Sequence, residues 1–125
     1  MTRHAISTTD APRPVAAYSQ GMEAGGLVFT AGQGGHDPVT GELPEGIEAQ
    51  TRRTLENVEA ILRQRGSSLA QAVKISVFIA DRADYAAMNE AYQAYMPDAP
   101  PVRTTVQAGL GKGMLVEIDA IAVAG

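Results

Sequence analysis

The sequence contains no cysteine and no tryptophan, and only 5% of its 125 residues are aromatic. Without cysteine the chain can form no disulfide, no thiolate nucleophile and no zinc–thiolate site. The two histidines, His4 and His36, lie far apart in the sequence, so they do not form a histidine-rich metal motif. We therefore predict no metal site.

Long apolar runs and an excess of positive charge are also missing. No stretch approaches the roughly 18 consecutive apolar residues of a membrane span, and the first residues lack the apolar core of a secretory signal. The net charge of −4 disfavours nucleic acid or an anionic membrane as the main partner. We expect a cytoplasmic protein with one globular domain spanning residues 1–125, and the 45% of hydrophobic residues suits one core.

Hydrophobic periodicity predicts two helices and several strands, which together make an α+β fold. The strand predicted at 73–79 alternates, with Val73, Ile75, Val77 and Ile79 on one side. In chain order we predict an extended segment at 10–20, a strand at 27–31, a turn-rich loop at 34–46, a helix at 47–65, a strand at 73–79, a helix at 82–96, and strands at 102–107 and 115–123. The predicted order is β, β, α, β, α, β, β.

The last predicted strand is almost wholly apolar except for Glu117 and Asp119, which are two residues apart and project from one face. A carboxylate there needs a partner or a raised pKa, because its desolvation alone is costly. A simple antiparallel hairpin would bring Arg103, on the preceding strand, near both acids. With Thr104 and Thr105 the arginine could bind an organic carboxylate while the remaining acid orients a water. The alternative is an ion pair on a solvated face or at a subunit contact.

Two glycine-rich segments and one basic helix invite other interpretations. Residues 31–35 follow a strand, but the Lys-Ser/Thr pair and the helix of a phosphate loop do not follow them. A plain turn and a backbone loop that approaches a ligand anion both stay open. Residues 109–113 join strand to strand, unlike a dinucleotide fingerprint. Four arginines of the first predicted helix are interleaved with Glu56 and Glu59, which predicts a salt-bridged, solvated face rather than an RNA-binding one.

Beyond these patterns, a series of short segments runs through nearly the whole chain and includes Ala17-Tyr-Ser-Gln-Gly21, Thr30-Ala-Gly-Gln33, Pro101-Val-Arg-Thr104 and Val116-Glu-Ile-Asp-Ala-Ile-Ala-Val123. By their order and spacing these segments carry a resemblance to the Rid family of reactive-intermediate deaminases, also called the YjgF or L-PSP translation-inhibitor family. It implies a chorismate-mutase-like α+β domain, with a mixed β-sheet and two helices on one face. It also implies a homotrimer with ligand sites between subunits.

The resemblance further implies a reaction and a set of site residues. Deaminating members hydrolyse reactive 2-imino and 2-enamino acids, such as 2-aminoacrylate or 2-iminobutanoate, to 2-oxo acids and ammonia without a cofactor. By position, Arg103 corresponds to the arginine that binds the substrate carboxylate, and Glu117 to the acid that holds the hydrolytic water. Tyr18, Asn89 and the backbone of Gly32 correspond to further substrate-binding residues.

Two positions depart from the pattern that is usual in the family. Ala31 stands where a serine is usual, and Thr105, a further substrate-binding position, stands where a cysteine is usual. The missing serine hydroxyl removes a ligand hydrogen bond worth about 0.5–1.5 kcal/mol, which affects substrate preference. Because Arg103 and Glu117 are both present, the resemblance predicts an imine deaminase. Two alternatives stay open: an RNA-cleaving or translation-inhibiting protein, and a non-catalytic module that binds small carboxylates in the same pocket.

Overall fold

The computed structural model describes residues 2–125, so Met1, the first residue of the predicted domain, lies outside the described residues. Six strands form one sheet, and two α-helices cover one of its faces. In chain order the elements are β1 (Arg3–Ile6), β2 (Gly21–Ala24), β3 (Leu27–Thr30), α1 (Ile47–Arg63), β4 (Ala72–Ile79), α2 (Tyr85–Gln93), β5 (Val102–Gln107) and β6 (Val116–Val123). The α+β fold class and the four predicted strands from 27 onward are confirmed.

The strand order in the sheet is β1-β2-β3-β6-β4-β5. All neighbouring strands are antiparallel except β4 and β5, which are parallel. The predicted β5–β6 hairpin is therefore wrong, because β4 lies between these two strands. The physical reason is α2: a strand–helix–strand connection returns the chain parallel to the first strand, and the loop after β5 then carries it past β4.

The extended segment predicted at 10–20 forms no strand. One short strand, β1, precedes this segment and another, β2, follows it. Strand β2 forms a tight hairpin with β3. The hairpin turns at Gly25 and Gly26, whose φ angles are 59° and 78°. Two central residues with positive φ are typical of a type I′ turn, whose twist matches that of the strands. The Gly-Gly pair between short apolar runs was thus a hairpin signal in the sequence.

The hydrophobic core lies between the helices and the covered face of the sheet. The apolar stripe of α1 packs on β6 and β3, and its residues Leu55, Val58, Ile61 and Leu62 are fully buried. Of the four residues predicted on one side of β4, Val73 does not join the buried face, because its side chain is 43% exposed. A register irregularity between Ala72 and Lys74 turns its side chain out of the alternation. No described helix is long and apolar enough to cross a membrane.

The second helix is shorter than the predicted 82–96. Residues Arg82–Asp84 form one 3-10 turn, and the predicted cap Asp81 accepts a backbone hydrogen bond of 2.9 Å from it. The tyrosine stripe predicted for the core is only partly buried. Tyr92 lies in the core, whereas Tyr85 is 44% exposed and turns its hydroxyl toward β5.

Candidate functional site

Arg103 and Glu117 lie on opposite faces of the sheet. Arg103 on β5 is paired with Ile75 of β4, a fully buried residue under the helices. Glu117 on β6 is paired with Phe78, three positions further along β4 and therefore on the other face. The predicted grouping of this arginine and this acid on one surface of a single chain is wrong, because it depended on the hairpin. Thr104 lies on the open face with Glu117, and Thr105 on the covered face with Arg103.

Glu117 lies on the wall of a cavity of about 580 Å³, which Tyr18, Gly32, His36 and Lys112 also line. Its carboxyl group packs directly on the loop after β3. A methyl group added at Gly32 would lie 2.9 Å from the Glu117 Cδ atom, so only glycine allows this approach. Three predicted site residues, Tyr18, Gly32 and Glu117, are thus brought together.

The environment of Glu117 favours the protonated carboxyl group. Burial raises its pKa, and the negative charge of Asp119 on the same face of β6 raises it further. Within residues 2–125 it forms no ion pair. Burial also raises the pKa of Asp119, while a hydrogen bond with Ser76 and the charge of Lys74 act in the opposite direction. Lys74 and Ser76, not the predicted Arg103, are therefore the groups that stabilise the charge of Asp119.

Arg103 is held rigidly beneath α2. Its Nη1 donates a hydrogen bond to Asn89 Oδ1 (2.8 Å), and its Nη2 donates one to the hydroxyl of Tyr85 (2.7 Å). The guanidinium carbon also lies 4.7 Å from the centre of the Tyr92 ring. These contacts fix the plane of the guanidinium and use two of its five N–H groups. The remaining donors can form the paired hydrogen bonds that a carboxylate accepts.

A second cavity, of about 410 Å³, opens beside this arginine, and Asn89 and Tyr92 are among its lining residues. Thr105 follows Arg103 on the same side of β5, and its hydroxyl oxygen is buried with no hydrogen-bond partner in the described chain. Three predicted site residues, Asn89, Arg103 and Thr105, therefore belong to this second region. The predicted site residues therefore form two separate groups, one around Glu117 and one around Arg103, which we call the Glu117 and Arg103 half-sites.

The sequence-based prediction missed three buried amides that hold the walls of the Glu117 cavity. Gln20 donates to three backbone carbonyl groups between Thr8 and Pro12, at 2.8–3.2 Å. Gln50 and Asn57, on α1, bind the loops on either side of Glu117. For the two amides on α1 the sequence contained a signal of burial, because positions 50, 54 and 57 have the i, i+4, i+7 spacing of one helix face, and this face continues the buried apolar stripe.

The basic residues near α1 are paired, as predicted. Arg52, Arg53 and Arg63 lie 2.9, 3.4 and 2.9 Å from glutamates one turn away, and Arg65 lies 3.3 Å from Glu23 on β2. Such pairs leave little unbalanced positive charge for a nucleic acid. Residues 2–125 contain no group of three or more His, Cys, Asp or Glu side chains that could hold a metal ion.

The sheet order, with both helices on one face, defines the class of this protein as a chorismate-mutase-like α+β domain. Solved structures of this class match nearly the whole chain. E. coli TdcF with bound serine matches with a TM-score of 0.93 and 40% identity, covering 98% of this chain and 99% of that chain. RidA from an Antarctic Psychrobacter matches with a TM-score of 0.92 and 40% identity, covering 96% and 98% of the two chains.

Sequence relatives place the chain more narrowly. Residues 8–124 match the family model described as endoribonuclease L-PSP. The 2-iminobutanoate/2-iminopropanoate deaminase of Salmonella typhimurium is 40% identical over 122 residues, which cover 94% of this chain and 95% of that protein. A RutC family protein of Pyrococcus abyssi is 43% identical over 124 residues, 98% of each chain. The chain belongs to the endoribonuclease L-PSP family, which is the Rid/YjgF family that its sequence resembles.

Proposed function

We propose that this protein hydrolyses reactive 2-imino and 2-enamino acids, such as 2-iminobutanoate or 2-aminoacrylate, to 2-oxo acids and ammonia. The observation that carries the proposal is the carboxyl group of Glu117. It has a raised pKa, no ionic partner among residues 2–125, and a place on the wall of a metabolite-sized cavity. A relative that is named a 2-iminobutanoate/2-iminopropanoate deaminase, and a structural neighbour with bound serine, support a small amino-acid-like ligand.

The complete site requires two copies of the chain. Arg103 and Glu117 are separated by the sheet, so neither can reach a small substrate bound to the other within one chain. The open face that carries Glu117 also exposes apolar side chains, among them Phe29, Val106 and Val123. Apolar sheet surface of this kind is typically covered by a partner. We propose a homotrimer in which the Arg103 half-site of one subunit faces the Glu117 half-site of the next.

In the proposed reaction Arg103 binds the substrate carboxylate and thereby fixes the C=N carbon beside Glu117. The protonated Glu117 first donates its proton to the imine nitrogen, which makes the adjacent carbon more electrophilic. The resulting carboxylate then takes a proton from a water molecule as the water oxygen bonds to that carbon. The C=N π electrons move to nitrogen, and a tetrahedral amino alcohol forms.

Collapse of this intermediate completes the hydrolysis. Glu117 returns a proton to the amino nitrogen, the C–N bond breaks and ammonia leaves. The hydroxyl proton passes to the Glu117 carboxylate, and the oxygen becomes the 2-oxo group. An enamine substrate takes the Glu117 proton at C3 instead of at nitrogen, which gives the same protonated imine, and water then adds to it in the same way. A carboxyl group with a raised pKa suits both directions of proton transfer near neutral pH.

The remaining predicted site residues have supporting roles in this proposal. Asn89 holds Arg103, and the Gly32 backbone leaves room for the Glu117 carboxyl group. Thr105 follows Arg103 on the same side of β5, and Tyr18 lines the Glu117 cavity. Ala31 offers no hydroxyl, so the preference among imines is expected to differ from that of serine-containing relatives.

The test is the release of ammonia and 2-oxo acid when the protein is added to freshly generated 2-iminobutanoate or 2-aminoacrylate. We expect release faster than spontaneous hydrolysis and in proportion to protein concentration. Release at the spontaneous rate, with pyruvate or 2-oxobutyrate still bound in a calorimetric titration, would instead identify a non-catalytic carboxylate-binding module.

A further inference from the structure

Two amide side chains are buried on the inner side of α1, where apolar residues would normally pack. Gln50 is 3% exposed and Asn57 is fully buried. A buried amide without hydrogen bonds destabilises a protein by about 1–3 kcal/mol. Both amides are instead satisfied, and nearly all of their partners are backbone groups of the loops that surround Glu117.

Gln50 holds the loop that leads into β6. Its Nε2 donates to the carbonyl oxygens of Pro44 and Gly113, both at 3.1 Å. Its Oε1 accepts a hydrogen bond of 2.9 Å from the backbone N–H of Leu115, two residues before Glu117. One side chain thereby fixes both the loop before α1 and the start of the strand that carries the acid.

Asn57 holds the loop that follows β3. Its Nδ2 donates to the carbonyl oxygens of Gly34 and His36, both at 2.9 Å, and its Oδ1 accepts a hydrogen bond of 3.0 Å from Arg53 Nη2. The same loop is seated on β6 by two backbone hydrogen bonds between Gln33 and Ile118, at 2.9 and 3.0 Å. Its position relative to α1 therefore depends on Asn57.

The two loops are also in contact with each other through Met114. A methyl group added at Gly34 would lie 2.7 Å from the Met114 Cε atom, and one added at Gly111 would lie 2.9 Å from its Sδ atom. One loop presents the Gly32 backbone to Glu117, and the other leads directly into its strand. A shift of either loop is therefore transmitted to the wall of the Glu117 cavity.

We propose that Gln50 and Asn57 are positioning residues, which hold the two loops around Glu117 in the geometry that the hydrolytic step requires. This inference rests on the proposed imine hydrolysis. Neither residue contacts Arg103, which belongs to the other half-site and binds the substrate carboxylate in that proposal. Loss of either amide should therefore lower kcat and leave KM nearly unchanged.

The variants Gln50→Met and Asn57→Leu remove the loop hydrogen bonds and keep the side chains near their original volume. Thr54→Val is a matched control: Thr54 is fully buried on α1, and its hydroxyl donates only to the Gln50 carbonyl within the helix, at 2.7 Å. With 2-iminobutanoate we expect kcat to fall about tenfold or more in both variants and KM to stay within about threefold of wild type. Thr54→Val should keep the wild-type kcat even where its melting temperature falls.

Amide hydrogen exchange of the two loops gives a readout that does not depend on activity. Residues 31–37 should exchange faster in Asn57→Leu and residues 108–115 faster in Gln50→Met, while Thr54→Val leaves both loops at the wild-type rate. Wild-type exchange in the variants, or an equal loss of kcat in Thr54→Val, overturns the inference. If the wild-type protein itself does not hydrolyse 2-iminobutanoate, the proposed function is overturned instead. The hydrogen-exchange rates of the variants then still show whether the two amides hold the loops. Should the apolar variants not fold, Asn57→Asp keeps the shape, loses both donors and is tested by the same two measurements.

Discussion

At the scale of single residues, the orientation of the Arg103 guanidinium group is fixed by its hydrogen bonds to Asn89 and Tyr85 on α2. Arg103→Lys keeps the charge, but the three N–H groups of lysine cannot bond to Asn89 and Tyr85 and also form a paired bond to a carboxylate. Hydrogen bonds to charged groups contribute about 1.5–3 kcal/mol, so we expect kcat/KM for 2-iminobutanoate to fall about 10- to 100-fold. Steady-state kinetics measure this fall. A lysine variant with wild-type turnover and apparent affinity would contradict the role of Arg103.

Glu117→Gln tests the acid of the other half-site. The amide fills the same space but neither accepts nor donates the proton, so hydrolysis should be lost while calorimetric titration with pyruvate or 2-oxobutyrate shows largely unchanged binding. Glu90→Gln, which changes an exposed acid on α2, is the control and should keep full activity. Undiminished turnover in Glu117→Gln removes this residue from the mechanism.

The raised pKa of Glu117 also predicts a pH-dependent effect on stability. Its pKa in the folded protein lies above the usual 4.5. The contribution of Glu117 to stability is therefore greatest below the usual value and decreases as pH rises through the folded pKa, because the buried group must then carry its charge. Glu117→Gln removes this decrease. We expect the melting temperature of the variant to exceed that of wild type at pH 8, with the difference shrinking toward pH 4, as measured by scanning calorimetry.

At the scale of elements, the charged face of α1 predicts weak binding to RNA. Three of its arginines have a glutamate partner within one helical turn. Fluorescence anisotropy with single-stranded RNA should therefore show only weak binding, and Arg52→Gln with Arg53→Gln should leave it unchanged. Tight, salt-sensitive binding that this double substitution abolishes would favour the nucleic-acid function over imine hydrolysis.

At the scale of the whole molecule, the open face of the sheet predicts assembly. Phe29 and Val106 on this face are 38% and 44% exposed, and a closed homo-oligomer would bury them. Light scattering coupled to gel filtration should give three times the chain mass of 13.1 kDa. A charge introduced by Phe29→Glu should dissociate the trimer and abolish hydrolysis while circular dichroism still shows a folded chain.

The control for this experiment is Gln64→Glu, which places the same charge at an exposed residue at the end of α1, away from the open face of the sheet and outside both cavities. It should stay trimeric. A fully active monomer at assay concentration would contradict both the two-subunit site and the proposed trimer.

The sequence by itself determined both helices and the strands from residue 27 onward, and it supplied the site residues as predictions. Helical spacing defined α1, alternation defined β4, and ordered motifs gave the family together with Arg103, Glu117, Tyr18, Gly32, Asn89 and Thr105. Local signals suffice for these because periodicity, capping and turn chemistry act within a few residues. The hairpin at Gly25 and Gly26 depends on an equally local signal and was predictable, although the first extended segment was predicted at 10–20 and not at Gly21–Ala24, where β2 lies.

Only the tertiary structure decided which of these residues meet. The hairpin interpretation placed Arg103 beside Glu117, but the insertion of β4 between their strands puts them on opposite faces. Strand order depends on contacts between distant segments, and no local pattern specifies it. The same holds for Gln50 and Asn57, whose partners lie up to 65 residues away in the sequence. Their amides became interpretable only once the loops that they bind were in place.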